Sequence, residues 1–514
     1  RVCGKNGETA ELSHAEVLDR DGNFYTENLR DAKQKITFVC DGTVQTFKPH
    51  FTFQGFRYVR VDHWPEPINL DNFTAIVVHS DMKRTGYFEC SNAKVNRLYQ
   101  NVVWGQKGNF VDVPTDCPQR DERLGWLGDA QVFCQTAAYN FDVEKFFRKW
   151  LHDLAADQYE DGGLPAVIPC VLPRDNGADS AAWGDAATVC PWQIYVAYGD
   201  KQVLADQFDS MKAWVEHIRA QGDNEYLWNT GEHYGDWLGM DAPAGSVKGS
   251  TSEHLIATAF YAYSTSLLIK AGKVLGKDMS EYESLYQGIR KAFQETYIKD
   301  GTFITNTQTA HIVALYFDLV DDKPYYAKRL ADKIKANGNR LCSGFVGTAY
   351  LMLALSENGY DDVAYTLLLQ EAFPSWLFSV NMGATTIWEH WDGIRADGSW
   401  WTPGPGLDDF TQMNSFNHYS YGAVAAWMYG VMAGINPDEA QPGYRHILLK
   451  PVTDERIDYV KASVDTRHGT VASSWERKDG KVTYHFEVPE KATATISIGS
   501  FTEEVGPGTY TYTF

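Results

Sequence analysis

VPTDCPQRDERLGWLGD, residues Val113–Asp129, sets four carboxylates (Asp116, Asp121, Glu122 and Asp129), Arg120, Arg123 and Trp126 between two stretches of helical character. Pro118, Gly125 and Gly128 interrupt any continuous helix there, because proline lacks an amide donor and glycine loses the most freedom on ordering. The spacing predicts a structured loop that feeds a helix beginning near Ala130. Three further segments share this character: 159–184 (DGGLPAVIPC, then SAAWGDA), 223–251 (EHYGDWLGMDAPAGS) and 382–417 (TTIWEHWDGIRADGSWWTPGPG, then NSFNHYS). Loops this long inside a compact domain are uncommon unless functional. Four of them, polar and aromatic and separated in sequence, point to one mouth of a barrel.

Between these loops the apolar residues recur at helical spacing, over 93–107, 129–141, 143–158, 185–198, 202–220, 253–275, 279–297, 307–318, 324–336, 345–358, 360–371 and 418–434. Helices bury their apolar stripes in two layers, so six inner and six outer antiparallel helices would close as an (α/α)6 toroid. A solenoid would use the same local pattern, but the chain lacks the fixed-period repeat that solenoids carry. Residues 1–90 alternate at period two (ITFVCDG, VQTFKPHFTFQGFRYVRVD, FTAIVVHSD), as half-buried strands do. After Pro437, Pro442 and Gly443, short strands with a Lys478-Asp479-Gly480 turn resume. The expected fold is a multidomain α plus β chain: an N-terminal antiparallel β-sandwich domain (1–90), a central (α/α)6 toroid (91–435) and a C-terminal antiparallel β-sandwich domain (436–514).

A net charge of −21 argues against nucleic acid and anionic membranes as partners, and the chain has no run of about twenty apolar residues. The first residue is Arg1, which points to a mature, trimmed or fragmentary N-terminus and leaves the compartment open, cytoplasmic or exported. Oligomeric state is equally unreadable. Eight scattered cysteines show no zinc spacing and no dense disulfide framework, so neither a metal nor a cofactor is expected. DRDGNFYTE (Asp19–Glu27) has oxygens at alternate positions but lacks the rest of a calcium loop; a turn at Asp21-Gly22 is the preferred reading. No nucleophile elbow, Walker A loop, dinucleotide fingerprint or zinc helix is present in the sequence.

Acid–base work by carboxylates with aromatic walls remains. Glycosidic bonds are cleaved by one protonated carboxyl that donates to the leaving oxygen and a second that acts through water or directly. The acid must be held protonated by burial or negative neighbours, and the cluster around Trp126 offers both. Glu122 is the candidate acid; a solvated carboxylate paired with Arg120 or Arg123 is the plain alternative. Glu389, between Trp388 and Trp391, is the candidate base, against a structural ion pair. Asp129 reads equally as a helix N-cap. Trp183 and Trp237 read as pocket wall or core, and His418 as a sugar ligand or a hydrogen-bonded histidine heading the last helix.

TDCPQRDERLGWLGDAQ, with HAEVLD, TENLRDA and PHFTFQGFRYV upstream, resembles the α-L-rhamnosidases of glycoside hydrolase family 78, along almost the full chain; longer members carry extra N-terminal domains. The resemblance implies an (α/α)6 catalytic domain and an inverting, exo-acting hydrolase that removes terminal α-L-rhamnosyl residues without a metal in its chemistry. It implies Glu122 as general acid, with Asp121 the alternative, Glu389 as general base, and Asp116, Arg120, Trp126, Asp129, Trp183, Trp237 and His418 around rhamnose. Another toroidal glycosidase or lyase, or a non-catalytic glycan-binding protein, are the other readings.

Overall fold

Two populations of helix make up the centre of the molecule in a computed structural model, which describes residues 1–403, 407 and 412–514. Residues 404–406 and 408–411 of the predicted 382–417 loop lie outside the described residues. One population is amphipathic: α1 (Ala93–Asn109), α3 (Glu144–Asp157), α5 (Lys201–Arg219), α7 (Ser280–Tyr297), α9 (Lys323–Ala336) and α11 (Asp361–Leu368). In α7 the buried side chains are Tyr282, Leu285, Ile289, Phe293 and Tyr297, one stripe at three- and four-residue spacing. Each such side chain, fully buried, stabilises the fold by about 1.5–3 kcal/mol.

The other population is covered on every side: α2 (Leu127–Asn140), α4 (Ala186–Tyr198), α6 (Glu253–Val274), α8 (Gln308–Tyr316), α10 (Phe345–Glu357) and a final composite segment. In α6 the run Leu255–Ala262 is buried without a break, which a helix can do only when surrounded. These inner helices touch in sequence, α2 to α4 to α6 to α8 to α10, and the final segment closes the ring against both α10 and α2. That segment is not one α-helix: Ser420–Ala423 is a 3₁₀ turn, Val424–Trp427 α-helical and Met428–Met432 a π turn. A short additional helix, Trp376–Asn381, packs on α1. Among the described residues no helix is long and apolar enough to cross a membrane.

After the toroid, five antiparallel strands order as Gly508–Thr513, Lys481–Val488, Gly469–Lys478, Tyr459–Thr466 and Gly86–Cys90. The last of these comes from before the toroid and pairs Cys90 with Val460, so the chain enters the ring from the edge of this sheet. A second sheet, Ile435–Pro437, His446–Leu449, Thr493–Ile498 and Phe501–Val505, contains one parallel pair, His446–Leu449 with Thr493–Ile498. Three strands of the first sheet, Tyr459–Thr466, Gly469–Lys478 and Lys481–Val488, lie between them in the chain and supply the long crossover a parallel pair requires.

Near the start of the chain, Lys35–Val39, Thr9–Ala15 and Tyr58–His63 form a three-stranded antiparallel sheet beside a two-stranded ribbon. FTAIVVHSD forms no strand among the described residues, and Ile76, Val77 and Val78 are exposed. Its alternation supplies strand character, but a strand also needs a neighbour to receive its backbone groups. At Asp19 the Oδ1 atom accepts from the amides of Asp21 and Asn23, the turn expected there.

Candidate active site

The loop Val113–Trp126 is bent back on itself by its own side chains. Asp116 Oδ1 accepts from the Leu124 amide at 2.9 Å, and the Asp116 amide donates to Leu124 O. Arg123, in the left-handed region at φ 51°, folds back to donate to Arg120 O. Two glycines let neighbouring loops close in: a Cβ on Gly125 would lie 2.0 Å from Ile168 O, and one on Gly128 2.5 Å from the Trp183 ring. Sequence and geometry meet here, because the glycines that break the helix also seat the 159–184 loop.

All nine residues singled out in the sequence line one cavity of about 650 Å³: Asp116, Arg120, Glu122, Trp126, Asp129, Trp183, Trp237, Glu389 and His418. Its size suits a small-molecule ligand. At its centre is the guanidinium of Arg120, 2 % exposed. Nη1 donates to Glu389 Oε2 at 2.9 Å, and Nη2 reaches Glu389 Oε1 and Asp116 Oδ2, both at 3.4 Å. Nε lies 2.9 Å from Glu122 Oε2. A guanidinium is about 2.3 Å across between adjacent nitrogens, so these two 2.9 Å contacts limit the Glu122 to Glu389 oxygen separation to about 8 Å.

Glu122 is held by more than Arg120. Trp126 Nε1 donates to its Oε1 at 2.7 Å, and Arg30 Nη1 donates to Oε2 at 3.1 Å. Arg30 also pairs with Asp121 at 3.0 Å, and Asp121, the alternative acid, lines the cavity as well. Glu389 is fixed by the Ser415 amide on Oε2 at 2.8 Å. Burial alone would raise the Glu389 carboxyl, but Arg120, with His418 and His390 behind it, holds it at about 2. Asp116 moves the other way, raised first by burial and then by the charge of Glu122; Asp129 is raised by burial against His418 and Ser420. The cavity thus holds one carboxylate kept charged and two carboxyls pushed toward the neutral form.

Helix α2 begins at Leu127 with Trp126 in the cap position, so Asp129 is inside the first turn and not the N-cap. Its Oδ1 accepts from Ser420 Oγ at 2.5 Å and faces His418 Nδ1 at 3.3 Å. Trp183 is buried, and its Nε1 has no hydrogen-bond partner among the described residues. Asp185 and Asp236 are structural. Asp185 accepts from Trp214, Ser264 and the Ala182 amide, and Asp236 from Thr309 and the amides of Gly344 and Gly347 at the start of α10. Asp116, Cys117 and Glu122 place possible metal ligands within 4.8 Å of one another, but Arg120 already pairs with both acids of that group, and burial raises the Cys117 thiol.

Sequence reasoning did not single out Arg30, Asp31, Leu172, Tyr234, Phe345 or Met413, which also line the cavity. Tyr234 and Leu172 sit inside two of the long loops, so they were within reach of that signal. Arg30 belongs to the N-terminal β region and meets Glu122 across 92 residues of chain; TENLRDA, which carries part of the resemblance, contains it, but its local spacing gives it no role.

The profile described as the bacterial alpha-L-rhamnosidase 6 hairpin glycosidase domain matches residues 83–432. The concanavalin-like domain of the same enzymes matches 1–79 and their C-terminal domain 434–511. An alpha-L-rhamnosidase of Streptomyces avermitilis is 42% identical over 502 residues, which is 97% of this chain and 47% of that protein. One from Formosa agariphila is 41% identical over 509 residues, 97% of this chain and 53% of that protein. The crystal structure of the Streptomyces avermitilis alpha-L-rhamnosidase complexed with L-rhamnose superposes on 100% of this chain and 50% of its own with a TM-score of 0.93 at 39% identity. The chain spans about half the length of the curated relatives it matches. Three matched segments in one order along the chain, together with the closed ring of helices, establish that the chain belongs to the bacterial α-L-rhamnosidase family.

Proposed function

We propose that this chain hydrolyses terminal α-L-rhamnosyl residues from rhamnosides, exo-acting and with inversion. The observation that carries this reading is the pair Glu122 and Glu389, drawn from loops far apart in sequence and facing one cavity on either side of Arg120. Glu122 gives its proton to the glycosidic oxygen as the bond from the anomeric carbon breaks. Glu389 takes a proton from a water that attacks the opposite face of the ring. A separation of up to about 8 Å has room for that water, but the same bound also admits the separation of about 5–5.5 Å of a direct nucleophile, so the anomeric configuration of the product, not this distance, decides between them. A carboxyl held at about 2 is ionised at neutral pH, the form a general base needs before it takes a proton.

Asp116, Arg120, Asp129 and His418 would receive the sugar hydroxyls, and Trp126, Trp183 and Trp237 the ring faces and the C6 methyl. The S. avermitilis relative crystallised with L-rhamnose supports this choice of sugar. The proposed division of the chain is 1–90, 91–435 and 436–514. Hydrolysis of p-nitrophenyl α-L-rhamnoside tests the reading. Activity that collapses in both Glu122→Gln and Glu389→Gln supports it; a fucoside cleaved in preference, or full activity in either variant, overturns it.

A further inference from the structure

Behind Glu389 lies a second buried carboxyl that the proposed reaction does not use. Glu16 follows the strand Thr9–Ala15 of the N-terminal sheet and is 6 % exposed. Its Oε2 accepts from Asn28 Nδ2 at 2.9 Å and from the Phe416 amide at 3.0 Å. The neighbouring amide, Ser415, is the one that donates to Glu389 Oε2, and the Glu389 amide donates back to Ser415 O at 2.9 Å. Successive amides of one extended segment are thus taken by two carboxyls, Ser415 by Glu389 and Phe416 by Glu16. The same segment is tied by Ser415 Oγ to Gln119 Oε1 at 3.1 Å, and Gln119 O accepts from Gln34 of the N-terminal region.

We infer that Glu16 is a positioning residue for the proposed general base: by holding the Phe416 amide it keeps the Ser415 amide on Glu389 and so fixes the direction in which that carboxylate meets the cavity. The inference rests on the reading of Glu389 as base. Packing alone does not explain a carboxyl at this place. Val17, Trp388 and Phe416 of an apolar cluster share a small pocket with Glu16, and against those walls an aliphatic side chain would pack without the cost of burying a polar group. Burial pushes the Glu16 carboxyl up to about 8 against the Phe416 amide and Arg120. It therefore accepts its two hydrogen bonds near neutrality without adding a charge beside Glu389. The N-terminal β region in this way touches both proposed catalytic carboxylates, Arg30 on the acid directly and Glu16 on the base through one peptide.

Steady-state kinetics on p-nitrophenyl α-L-rhamnoside decide the matter. Glu16→Ala leaves the Phe416 amide without its acceptor, and a base misdirected by a fraction of an ångström costs about ten- to hundredfold in kcat. KM should change by less than about twofold, because the cavity walls are untouched. Glu16→Gln, whose amide oxygen can accept the same bond, should recover kcat to within about fivefold of the unaltered enzyme. In a Glu389→Gln background Glu16→Ala should add less than about twofold, since a residue acting through another has nothing left to act on. Unaltered kcat in Glu16→Ala, a rise in KM alone, or multiplicative losses in the double variant would each overturn the inference. If Glu16→Ala does not fold, Asn28→Ala decides: reduced kcat at constant KM supports the inference and unaltered kcat overturns it. Full activity in Glu389→Gln would instead remove the assignment of the base, whatever Glu16 does.

Discussion

Replacing Arg120 with methionine takes away the one cation shared by Asp116, Glu122 and Glu389 while keeping much of the side chain's length. In the intact protein that cation overcomes burial and holds Glu389 at about 2 against an ordinary 4.5. A carboxyl whose folded value lies below its unfolded one stabilises the fold above about pH 4.5 and loses that contribution as pH falls toward 2. A depression of this size corresponds to about 3 kcal/mol at neutral pH. In Arg120→Met the largest charge opposing burial is gone and only His418, His390 and the Ser415 amide remain, so the Glu389 carboxyl rises and the stabilisation shrinks. Breaking a buried pair by deleting one partner costs about 3–5 kcal/mol at neutral pH. Two readouts follow. Between pH 6 and pH 4 the kcat/KM of Arg120→Met should fall more steeply than that of the intact enzyme, because a carboxyl released from its main cation takes up a proton at a higher pH. The stability deficit, measured by urea unfolding, should narrow over the same interval as the stranded carboxylates take up protons. Parallel pH profiles, or a deficit that does not change with pH, would refute the role given to Arg120.

Trp126→Phe keeps an aromatic ring but removes the N–H donated to Glu122 at 2.7 Å; a hydrogen bond to the neutral acid is worth about 0.5–1.5 kcal/mol, so kcat should fall by roughly two- to tenfold in the same assay. Gly128→Ala drives a Cβ to 2.5 Å from the Trp183 ring, and overpacking of this kind should lower stability by about 1–3 kcal/mol in urea unfolding and raise KM as the wall shifts. Asp236, raised by burial to about 6 against its three donors, contributes stability that is fully present below its unfolded 3.8 and lost as pH rises through 6. Asp236→Asn should therefore abolish a stability loss of about 2 kcal/mol between pH 4 and pH 7, read by unfolding at the two pH values.

The outer helices were legible because each carries a single apolar stripe, as in Tyr282 to Tyr297. The inner ones were read from the same helical spacing, but because they are buried on every side, as over Leu255–Ala262, the spacing marked a helix without marking which face would be covered. Trp376–Asn381 escaped notice because six residues are too few to display a period. The final segment reads as a uniform helix, and its 3₁₀ and π turns follow from packing against α2 and α10, which no local propensity encodes. FTAIVVHSD misled because alternation reports a chain able to form a strand without reporting a neighbour to pair with. At the site, a carboxylate beside an aromatic was signal enough to find Glu122 and Glu389. Glu16 and Arg30 stand in HAEVLD and TENLRDA, stretches that carry the resemblance, but were given no role, because what makes each of them matter is a partner hundreds or tens of residues away in a different layer.

The most direct test of a base that works through water is the anomeric configuration of the first product. Proton NMR during turnover of p-nitrophenyl α-L-rhamnoside should show β-L-rhamnose first, with the α anomer growing in only at the rate of mutarotation. If α-L-rhamnose appears first, Glu389 is not activating water on the opposite face of the sugar and the account given for the Glu122 and Glu389 pair is wrong.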